Sequence, residues 1–543
     1  MAMARCLRGT VTGRRMQQLL WCPVGSRAIS LGVASLEPPR FADVPVVREE
    51  PAAILADMPE LTLSGPSAVR RSEMREGQIS RSTLDQPLSA ELAPADAPVE
   101  SSEGTQPPEV RFAKLANGVR VAAVDRHGLC ASLGLFVHAG SRYESAGTCS
   151  IPHALELMAF KSSAHLSHIR TLKTLEQLGA AASCRVGRED LLYQVDVLRD
   201  YVPVMLPLML ANVLCPSLLP EEVAAAQEYV FEVQQSLEEN TEGLLSELLH
   251  STAYKGNTIG HPLYAEEKDL PLFTAENLRT FLQKKCTPDR LIVMGVNVNF
   301  DELCKWTVRS FAEYEGSWSS PAPVCQDPAP AVYTGGEIRV DKPNPLCHLM
   351  LGWEVKGGWN GPSLAAITVL QMFLGGGGSF STGGPGKGMH TRLYTDVLNR
   401  HHWVESCQAS SAMYADSGLF TIYATVLPQF AGDFVTVLQR IFTGLSRITP
   451  DELQRAKNAL KSSIHMNLEM RAIMMEDIGR QLVLSGKVGT AQEFGRMADA
   501  VTADDLRMAL KECLKSNLTV VAYGAIDGVP KSAIIEQRLK ACL

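Results

Sequence analysis

The order of strand and helix patterns in this chain occurs twice, and this duplication restricts the folds that the chain can adopt. In each half, two alternating apolar stretches that predict strands precede a helical pattern, amphipathic helices follow, and one apolar strand closes the half. The predicted strands are residues 118–124, 131–138 and 290–295 in the first half and residues 336–340, 348–355 and 518–523 in the second. The pattern predicts an α+β fold of two related domains.

Changes in composition along the 543 residues indicate where these domains begin and end. Residues 37–108 are rich in Pro, Glu, Ala and Ser and have little apolar periodicity, which predicts a disordered linker. Ordered structure should begin near Arg111. We therefore expect an N-terminal domain at residues 109–318, a proline-rich linker at 319–333 and a C-terminal domain at 334–543 that carries a glycine-rich loop.

Residues 1–36 have the composition of a mitochondrial import presequence. They contain five arginines and no acidic residue, and Ser, Thr, Leu and Trp21 fill the positions between them. A secretory signal needs a longer apolar core than this segment provides, because Arg14 and Arg15 interrupt it. The sequence Arg-Ala-Ile-Ser at residues 27–30 resembles a presequence cleavage site. A disordered basic tail is the alternative interpretation.

Charge, cysteine usage and hydropathy exclude several classes of protein. The formal net charge is −8, and without the five N-terminal arginines the chain is more negative still, which makes it a poor nucleic-acid binder that attracts basic ligands. Thirteen cysteines are scattered singly with no Cys-x-x-Cys, which predicts reduced core thiols. The most apolar stretch, residues 201–219, is interrupted by prolines and predicts a buried helix rather than a membrane span.

A glycine-rich stretch at residues 375–388 lies between two predicted helices, residues 364–374 and 391–399. Because glycine has no Cβ and adopts positive φ freely, we expect this stretch to form no regular element and to offer dense backbone N–H and C=O groups to a ligand. It is neither a phosphate-binding loop nor a dinucleotide fingerprint, since the glycine spacing of both motifs is absent. A disordered surface linker is the alternative. The candidate binding residues are Gly375, Gly376, Gly377, Gly378, Ser379, Phe380, Ser381, Gly383, Gly384, Gly386, Lys387 and Gly388.

A helical pattern at residues 151–162 contains part of a zinc-protease motif. In the inverted motif His-x-x-Glu-His, the two histidines bind the metal and the glutamate polarises the attacking water. His153 and Glu156 occupy the first two positions, but Leu157 stands where the second histidine belongs. A leucine cannot bind a metal, and a catalytic zinc needs about three protein ligands. We therefore expect no metal and no catalytic residue in this chain. An ordinary helix start is the alternative interpretation of these residues.

A third ligand in this type of site would come from a distant helix. Residues 221–249 predict one long acidic helix, and Glu232 is its candidate for a vestigial ligand position. A solvated helix face is the alternative interpretation of these glutamates.

Several stretches of the sequence resemble the pitrilysin-like, or M16, family of metallopeptidases over about residues 110–543. They are residues 153–162, 250–260, 287–290, 375–394, 452–461 and 476–481. The glycine-rich stretch and the incomplete metal motif together resemble the non-catalytic subunits of heterodimeric members of the family. One difference is that these subunits commonly have a basic residue where this chain has Leu157.

The resemblance implies two homologous α+β domains, each a mostly antiparallel sheet packed with helices. It also implies a division of labour between two chains. This chain would recognise basic presequence peptides with its glycine-rich loop, and a beta-type partner subunit would hydrolyse them. The resemblance implies no cofactor in this chain and zinc in the partner. It also implies a location in the mitochondrial matrix or on the matrix face of the inner membrane.

Two other functions are compatible with the residues. The first is a structural core subunit of the cytochrome bc1 complex, respiratory complex III, to which this family is related and in which both roles can coexist. The second is an autonomous zinc protease that uses unconventional ligands. The glycine-rich loop favours presequence recognition over the structural role. Metal analysis of the isolated chain would identify an autonomous zinc protease.

Overall fold

The computed structural model describes residues 46–47, 109–145, 147–313, 329–379 and 388–542. These residues form two mixed β-sheets packed with helices, so the predicted α+β fold with mostly antiparallel sheets is confirmed. The predicted presequence lies outside the described residues, and so does the predicted first linker apart from Val46 and Val47. The domain boundaries stay predictions.

The first sheet is built from seven strands. They are β1 (Val46–Val47), β2 (Arg111–Leu115), β3 (Arg120–Val124), β4 (Cys130–Val137), β5 (Ala181–Val186), β6 (Leu191–Leu198) and β7 (Leu291–Val296). Their order across the sheet is β1-β2-β3-β7-β4-β6-β5. The pairs β1–β2 and β3–β7 are parallel, and the other neighbours are antiparallel.

The second sheet is built from six strands. They are β8 (Gly336–Asp341), β9 (Cys347–Lys356), β10 (Gly376–Gly378), β11 (Val404–Met413), β12 (Ser417–Val426) and β13 (Thr519–Gly524). Their order is β10-β11-β12-β9-β13-β8, and only the β13–β8 pair is parallel. The three-residue strand β10 therefore forms one edge of this sheet.

Helices cover both sheets. In the first half they are α1 (Ile151–Leu157), α2 (His168–Leu178), α3 (Val202–Leu214), α4 (Pro220–Glu239), α5 (Thr241–Ala253), α6 (Ala275–Lys285) and α7 (Phe300–Glu313). In the second half they are α8 (Leu364–Leu374), α9 (Ala431–Gly444), α10 (Pro450–Glu469), α11 (Arg471–Leu484), α12 (Ala491–Ala500), α13 (Ala503–Lys515) and α14 (Ser532–Lys540). The apolar stretch predicted to be a buried helix forms α3, most of whose residues are buried. Among the described helices, none is long and apolar enough to cross a membrane.

Three predicted helices differ in the structure. The helix predicted at 151–162 ends at Leu157, and Phe160 shortly after it has a left-handed φ of 57°. The single acidic helix predicted at 221–249 is two helices, α4 and α5, because the Asn240 side chain caps α5 by accepting the Gly243 N–H at 3.1 Å. The helix predicted at 391–399 is largely a π-helical turn, Tyr394–Leu398.

Each half of the chain contributes one helix to the sheet of the other half. Helix α11 packs on β4 and β7 of the first sheet, and α5 packs on β8, β9 and β13 of the second. Glycines make room for both helices. A Cβ on Gly479 of α11 would lie 2.0 Å from the Phe136 ring, and one on Gly352 of β9 would lie 3.1 Å from Leu249 of α5. This exchange of helices brings the junction between α4 and α5 to the second sheet.

Candidate functional site

The first part of the glycine-rich stretch is a strand, so the prediction that the stretch forms no regular element is wrong for these residues. Gly376–Gly378 pair antiparallel with β11, with Gly376 opposite Gln408 and Gly377 opposite Cys407. The backbone of Gly376 has a φ of 108°, and a Cβ there would lie 2.0 Å from the Cys407 carbonyl oxygen. Glycine is therefore needed for close approach of two backbones, and the pairing compensates for its low strand propensity.

Thr391 holds the two ends of the glycine-rich stretch together. Its hydroxyl accepts a hydrogen bond from the Gly376 N–H at 3.2 Å, and a Cβ on Gly375 would lie 2.3 Å from its methyl group. Gly388, with a φ of 73°, lies next to the same side chain. The two ends of the glycine-rich stretch are therefore held close together, beside the Thr391 side chain. The remaining candidate binding residues, Phe380, Ser381, Gly383, Gly384, Gly386 and Lys387, lie outside the described residues.

The backbone of β10 alternates between pairing with β11 and facing away from it. Gly375 C=O accepts from the Ala409 N–H at 2.9 Å, and the Ser379 N–H donates to Glu405 C=O at 2.7 Å. In an antiparallel ladder with this register, the polar groups of Gly376 and Gly378 point away from β11. Within the described part of the chain, open space surrounds the positions that a Cβ would take on Gly377 and Gly378.

An acidic side chain from the first half lies beside this strand. Gln408 of β11 donates a hydrogen bond from its side-chain amide to the carboxylate of Glu242, in the first turn of α5. Sequence reasoning missed both residues. The capping signal of Asn240 could have shown that a helix begins there. The proximity of Glu242 to the glycines depends on the packing of α5 against the second sheet, which no local pattern indicates.

His153 is buried in α1 and makes a structural contact. Its Nδ1 accepts the Ala265 N–H at 3.1 Å, and its ring lies edge-on to Tyr264. Burial lowers the pKa of His153 to about 4, so the imidazole is neutral at physiological pH. The Nδ1 atom of His153 is therefore already hydrogen-bonded to the backbone of Ala265.

Glu156 lies on the same helix and faces strand β5. One of its carboxylate oxygens accepts the Val186 N–H at 3.3 Å. Burial raises the pKa of Glu156 to about 7, with the hydrogen bond from Val186 opposing the shift. Its carboxyl therefore keeps its proton to a higher pH than an ordinary glutamate does.

The remaining predicted positions do not complete a metal site. Leu157 is half-buried and packs against the core of the first half, and Glu232 is exposed on α4. Within the described ranges, no three His, Cys, Asp or Glu side chains are grouped so that they could hold a metal. A zinc ion of the M16 type does not fit the residues present, because Leu157 offers no ligand atom and a catalytic zinc needs about three protein ligands.

Two family models match adjacent parts of the chain. The model described as "Insulinase (Peptidase family M16)" matches residues 120–267. The model described as "Peptidase M16 inactive domain" matches residues 272–460. The matches together span α1, the α4–α5 junction and the glycine strand.

Curated relatives from plants, animals and fungi resemble most of the chain. The mitochondrial-processing peptidase subunit alpha of Solanum tuberosum is 33% identical over 492 residues, which are 89% of this chain and 96% of that protein. The protein of the same name from Homo sapiens is 32% identical over 88% of this chain and 93% of its own length. A protein of Schizosaccharomyces pombe named as the probable alpha subunit is 33% identical over 79% and 89%. This chain therefore belongs to the M16 family of metallopeptidases.

Proposed function

We propose that this chain is the substrate-recognising, non-catalytic subunit of a two-subunit peptidase that removes presequences from proteins imported into mitochondria. The observation that carries the proposal is Leu157 in the position of the second metal-binding histidine. The names of the relatives, which are alpha subunits of such a peptidase, support it. The same names favour a mitochondrial location. Our proposal places the chain in the matrix or on the matrix face of the inner membrane.

The environment of the incomplete motif supports a non-catalytic role. His153 is neutral and bonded to the backbone at Ala265, and Glu156 is turned toward Val186 of β5. We place hydrolysis in a beta-type partner subunit with a complete motif and its zinc.

The contribution of this chain is to hold the peptide. Presequences are basic and conformationally weak, and the acidic chain attracts them by charge. Glycine backbone groups bind peptides without reading their side chains, which suits a peptidase that accepts many sequences. The anchoring of Gly375, Gly376 and Gly388 at Thr391 fixes the base of the loop that performs this capture.

A structural role in respiratory complex III is the second candidate. The relatives reported above bear peptidase names, so they favour the peptidase over this alternative.

A cleavage assay tests the proposed function. The purified chain is incubated with a presequence-bearing precursor, first by itself and then with a beta-type subunit. We expect no cleavage by the chain alone, and cleavage by the pair that a chelator abolishes. Chelator-sensitive turnover by the chain alone would overturn the proposal and revive the autonomous protease.

A second assay tests the role of the glycine-rich loop. The triple variant Gly383→Ala, Gly384→Ala, Gly386→Ala leaves β10 and its anchor at Thr391 unchanged. We expect it to weaken presequence binding while the complex with the beta-type subunit still forms. Unchanged peptide affinity would show that the loop does not capture the substrate.

A further inference from the structure

We infer that Arg392 is a positioning residue for the glycine-rich loop: its guanidinium fixes the ends of the loop to the helices around them, so that the loop can hold the presequence peptide. The inference rests on the proposed function, because it takes this loop as the part of the chain that captures the peptide. It gives Arg392 a role in substrate binding that acts through the loop rather than through contact with the substrate.

Arg392 directly follows the anchor at Thr391 and connects it to the helices of the second half. The hydrogen bond from the Gly376 N–H to Thr391 joins the two ends of the glycine-rich stretch to each other. Contacts with other elements must then fix these ends relative to the rest of the second half. The side chain of Arg392 is 13% exposed and contacts α8, α9 and α10.

The guanidinium of Arg392 bonds to the segment that joins α9 to α10. Its Nη1 donates to the Gly444 carbonyl at 2.7 Å, and its Nη2 donates to the Arg447 carbonyl at 3.0 Å. Its Nε and Nη2 donate to the two carboxylate oxygens of Glu452, in the first turn of α10, at 3.3 and 3.0 Å. A planar guanidinium makes these bonds together because its donors point in fixed directions. A lysine carries the same charge but lacks this geometry.

The same guanidinium also contacts the helix that leads into the glycine-rich stretch. Its central carbon lies 5.0 Å from the centroid of the Phe373 ring, in the last turn of α8. Phe373 is buried in the core of the second half and lies just before Gly375 in the sequence. A cation over an aromatic ring is an attractive contact. Arg392 therefore links the entry of the stretch to its exit, and both to α9 and α10.

The acceptor for Arg392 is itself held in place. Glu452 accepts the Thr449 N–H at 3.0 Å, and the Thr449 hydroxyl accepts the Glu452 N–H at 3.3 Å, which forms the capping box of α10. Burial alone would raise the pKa of Glu452, but hydrogen bonds from Arg392 and Thr449 hold this pKa below its ordinary value. The carboxylate is therefore charged at neutral pH and fixed to the start of a helix.

Fixed ends matter for a loop that consists largely of glycine. Ordering a glycine backbone costs more conformational entropy than ordering any other residue, and this cost opposes peptide binding. Holding the two ends reduces the number of conformations that the loop adopts before the peptide binds. A loop whose ends are fixed therefore binds the peptide more tightly than one whose ends move.

The charge of Arg392 would have the opposite effect on binding. A cation beside the loop repels a basic peptide, so its removal should strengthen binding if charge alone mattered. Positioning predicts weaker binding instead, and it predicts this loss for a lysine as well as for a neutral residue. Substitution at this one position therefore separates the two explanations.

A binding assay with the full chain makes this test. The probe is a fluorescent synthetic peptide of residues 1–36, which has five arginines and no acid. We expect Arg392→Lys and Arg392→Gln each to weaken binding about tenfold, and to raise KM without changing kcat when the beta-type subunit is added. Arg507→Lys is the matched control, because Arg507 donates to the Leu445 and Ser446 carbonyls in the same segment between α9 and α10. Its effect should stay below about twofold.

Two further measurements show whether Arg392 acts through the loop. Hydrogen exchange of the backbone amides of residues 375–379 and 388–391, measured without peptide, should be faster in Arg392→Lys than in the native chain or in Arg507→Lys. In the background of the loop triple variant, Arg392→Lys should weaken binding by less than about twofold, because the loop that it positions is already impaired. A role in general stability would leave the tenfold loss unchanged in that background.

The outcomes separate this inference from the proposed function. If the loop triple variant weakens binding while Arg392→Lys leaves binding and exchange unchanged, the proposed function stands and the inference falls. If Arg392→Lys speeds exchange but neither it nor the triple variant affects binding, the loop does not capture the peptide, and the inference falls with that part of the proposed function. If Arg392→Gln strengthens binding, or if the loss in Arg392→Lys persists in the triple variant, the inference is overturned.

Discussion

The guanidinium of Arg142 contacts the carboxylate of Asp416 through two hydrogen bonds of 2.6 and 2.8 Å, and this contact joins the two halves of the chain. Arg142 also donates to Glu189 at 2.6 Å, and the carboxylate of Glu189 accepts the Ala415 N–H. Arg142 and Glu189 are almost fully buried. The halves are therefore connected by a desolvated ionic cluster in addition to the exchanged helices.

We expect Arg142→Ala to lower the free energy of unfolding by about 3–5 kcal/mol, because Glu189 is then left buried without its cationic partner. Urea denaturation of the full chain measures the change. Arg400→Ala, which removes an exposed pair with Asp396 on one helical turn, should cost less than about 0.5 kcal/mol. Equal costs for the two variants would contradict a stabilising role of the cluster.

We expect opposite effects from alanine at two helical glycines. Gly479→Ala in α11 places a methyl group 2.0 Å from the Phe136 ring and should destabilise the chain by about 2–3 kcal/mol. Gly495→Ala in α12 meets only the flexible side chain of Lys461, at 3.6 Å, and should stabilise it by up to about 1 kcal/mol.

Thermal unfolding of both variants measures these differences. The double variant Gly479→Ala, Phe136→Leu should recover part of the loss, because the shorter side chain makes room for the methyl group. If Gly479→Ala left the thermal stability unchanged, α11 would not pack closely on the first sheet.

Six strands were predicted, because they are continuous or alternating apolar runs, and each lies close to a strand of the structure. Strands β1, β2, β5, β6, β11 and β12 were not predicted. The strand predicted at 131–138 is Cys130–Val137, and the one predicted at 518–523 is Thr519–Gly524. Strand β10 was not predictable, because three glycines have no strand propensity and their pairing depends on the distant strand β11. The same holds for Glu242, whose position beside Gly376 arises only when α5 crosses to the second sheet.

The metal motif shows how far the residues alone could be interpreted. The sequence alone predicted that Leu157 provides no metal ligand, because a leucine side chain has no atom that binds a metal. The sequence did not predict that His153 contacts Ala265 or that Glu232 is exposed. Both features depend on which distant segments pack against α1 and α4. The sequence therefore predicted that one metal ligand is missing. It did not predict the structural contact that His153 makes.

We expect the stability contribution of Glu156 to depend on pH. Its pKa rises from 4.5 in the unfolded chain to about 7 in the folded one, so between these values the folded state holds a proton that the unfolded state has lost. The stabilisation is complete below pH 4.5 and is lost as the pH rises through 7. At pH 8 the folded chain must hold a partly buried carboxylate, at a cost of up to about 3 kcal/mol.

The variant Glu156→Gln measures this effect. It keeps an acceptor for the Val186 N–H but has no charge, so it should be more stable than the native chain at pH 8 and nearly equal to it at pH 5. Urea denaturation at the two pH values gives the difference. Glu232→Gln, which removes an exposed carboxylate from α4, is the matched control. A pH-independent difference for Glu156→Gln would contradict the raised pKa of this partly buried carboxyl.

We expect His153→Asn to leave presequence cleavage by the assembled two-subunit peptidase within about twofold of the native rate. The asparagine carbonyl can accept the Ala265 N–H in place of Nδ1, so the substitution keeps the structural contact while removing the imidazole. The same substitution at the first motif histidine of the beta-type subunit is the control and should abolish cleavage. Steady-state kinetics of the two complexes, with the melting temperature of each, makes the comparison. If His153→Asn abolished cleavage while melting temperature and peptide affinity were unchanged, the imidazole would act in catalysis. Because its Nδ1 is bonded to the backbone and its pKa is about 4, we expect the opposite result.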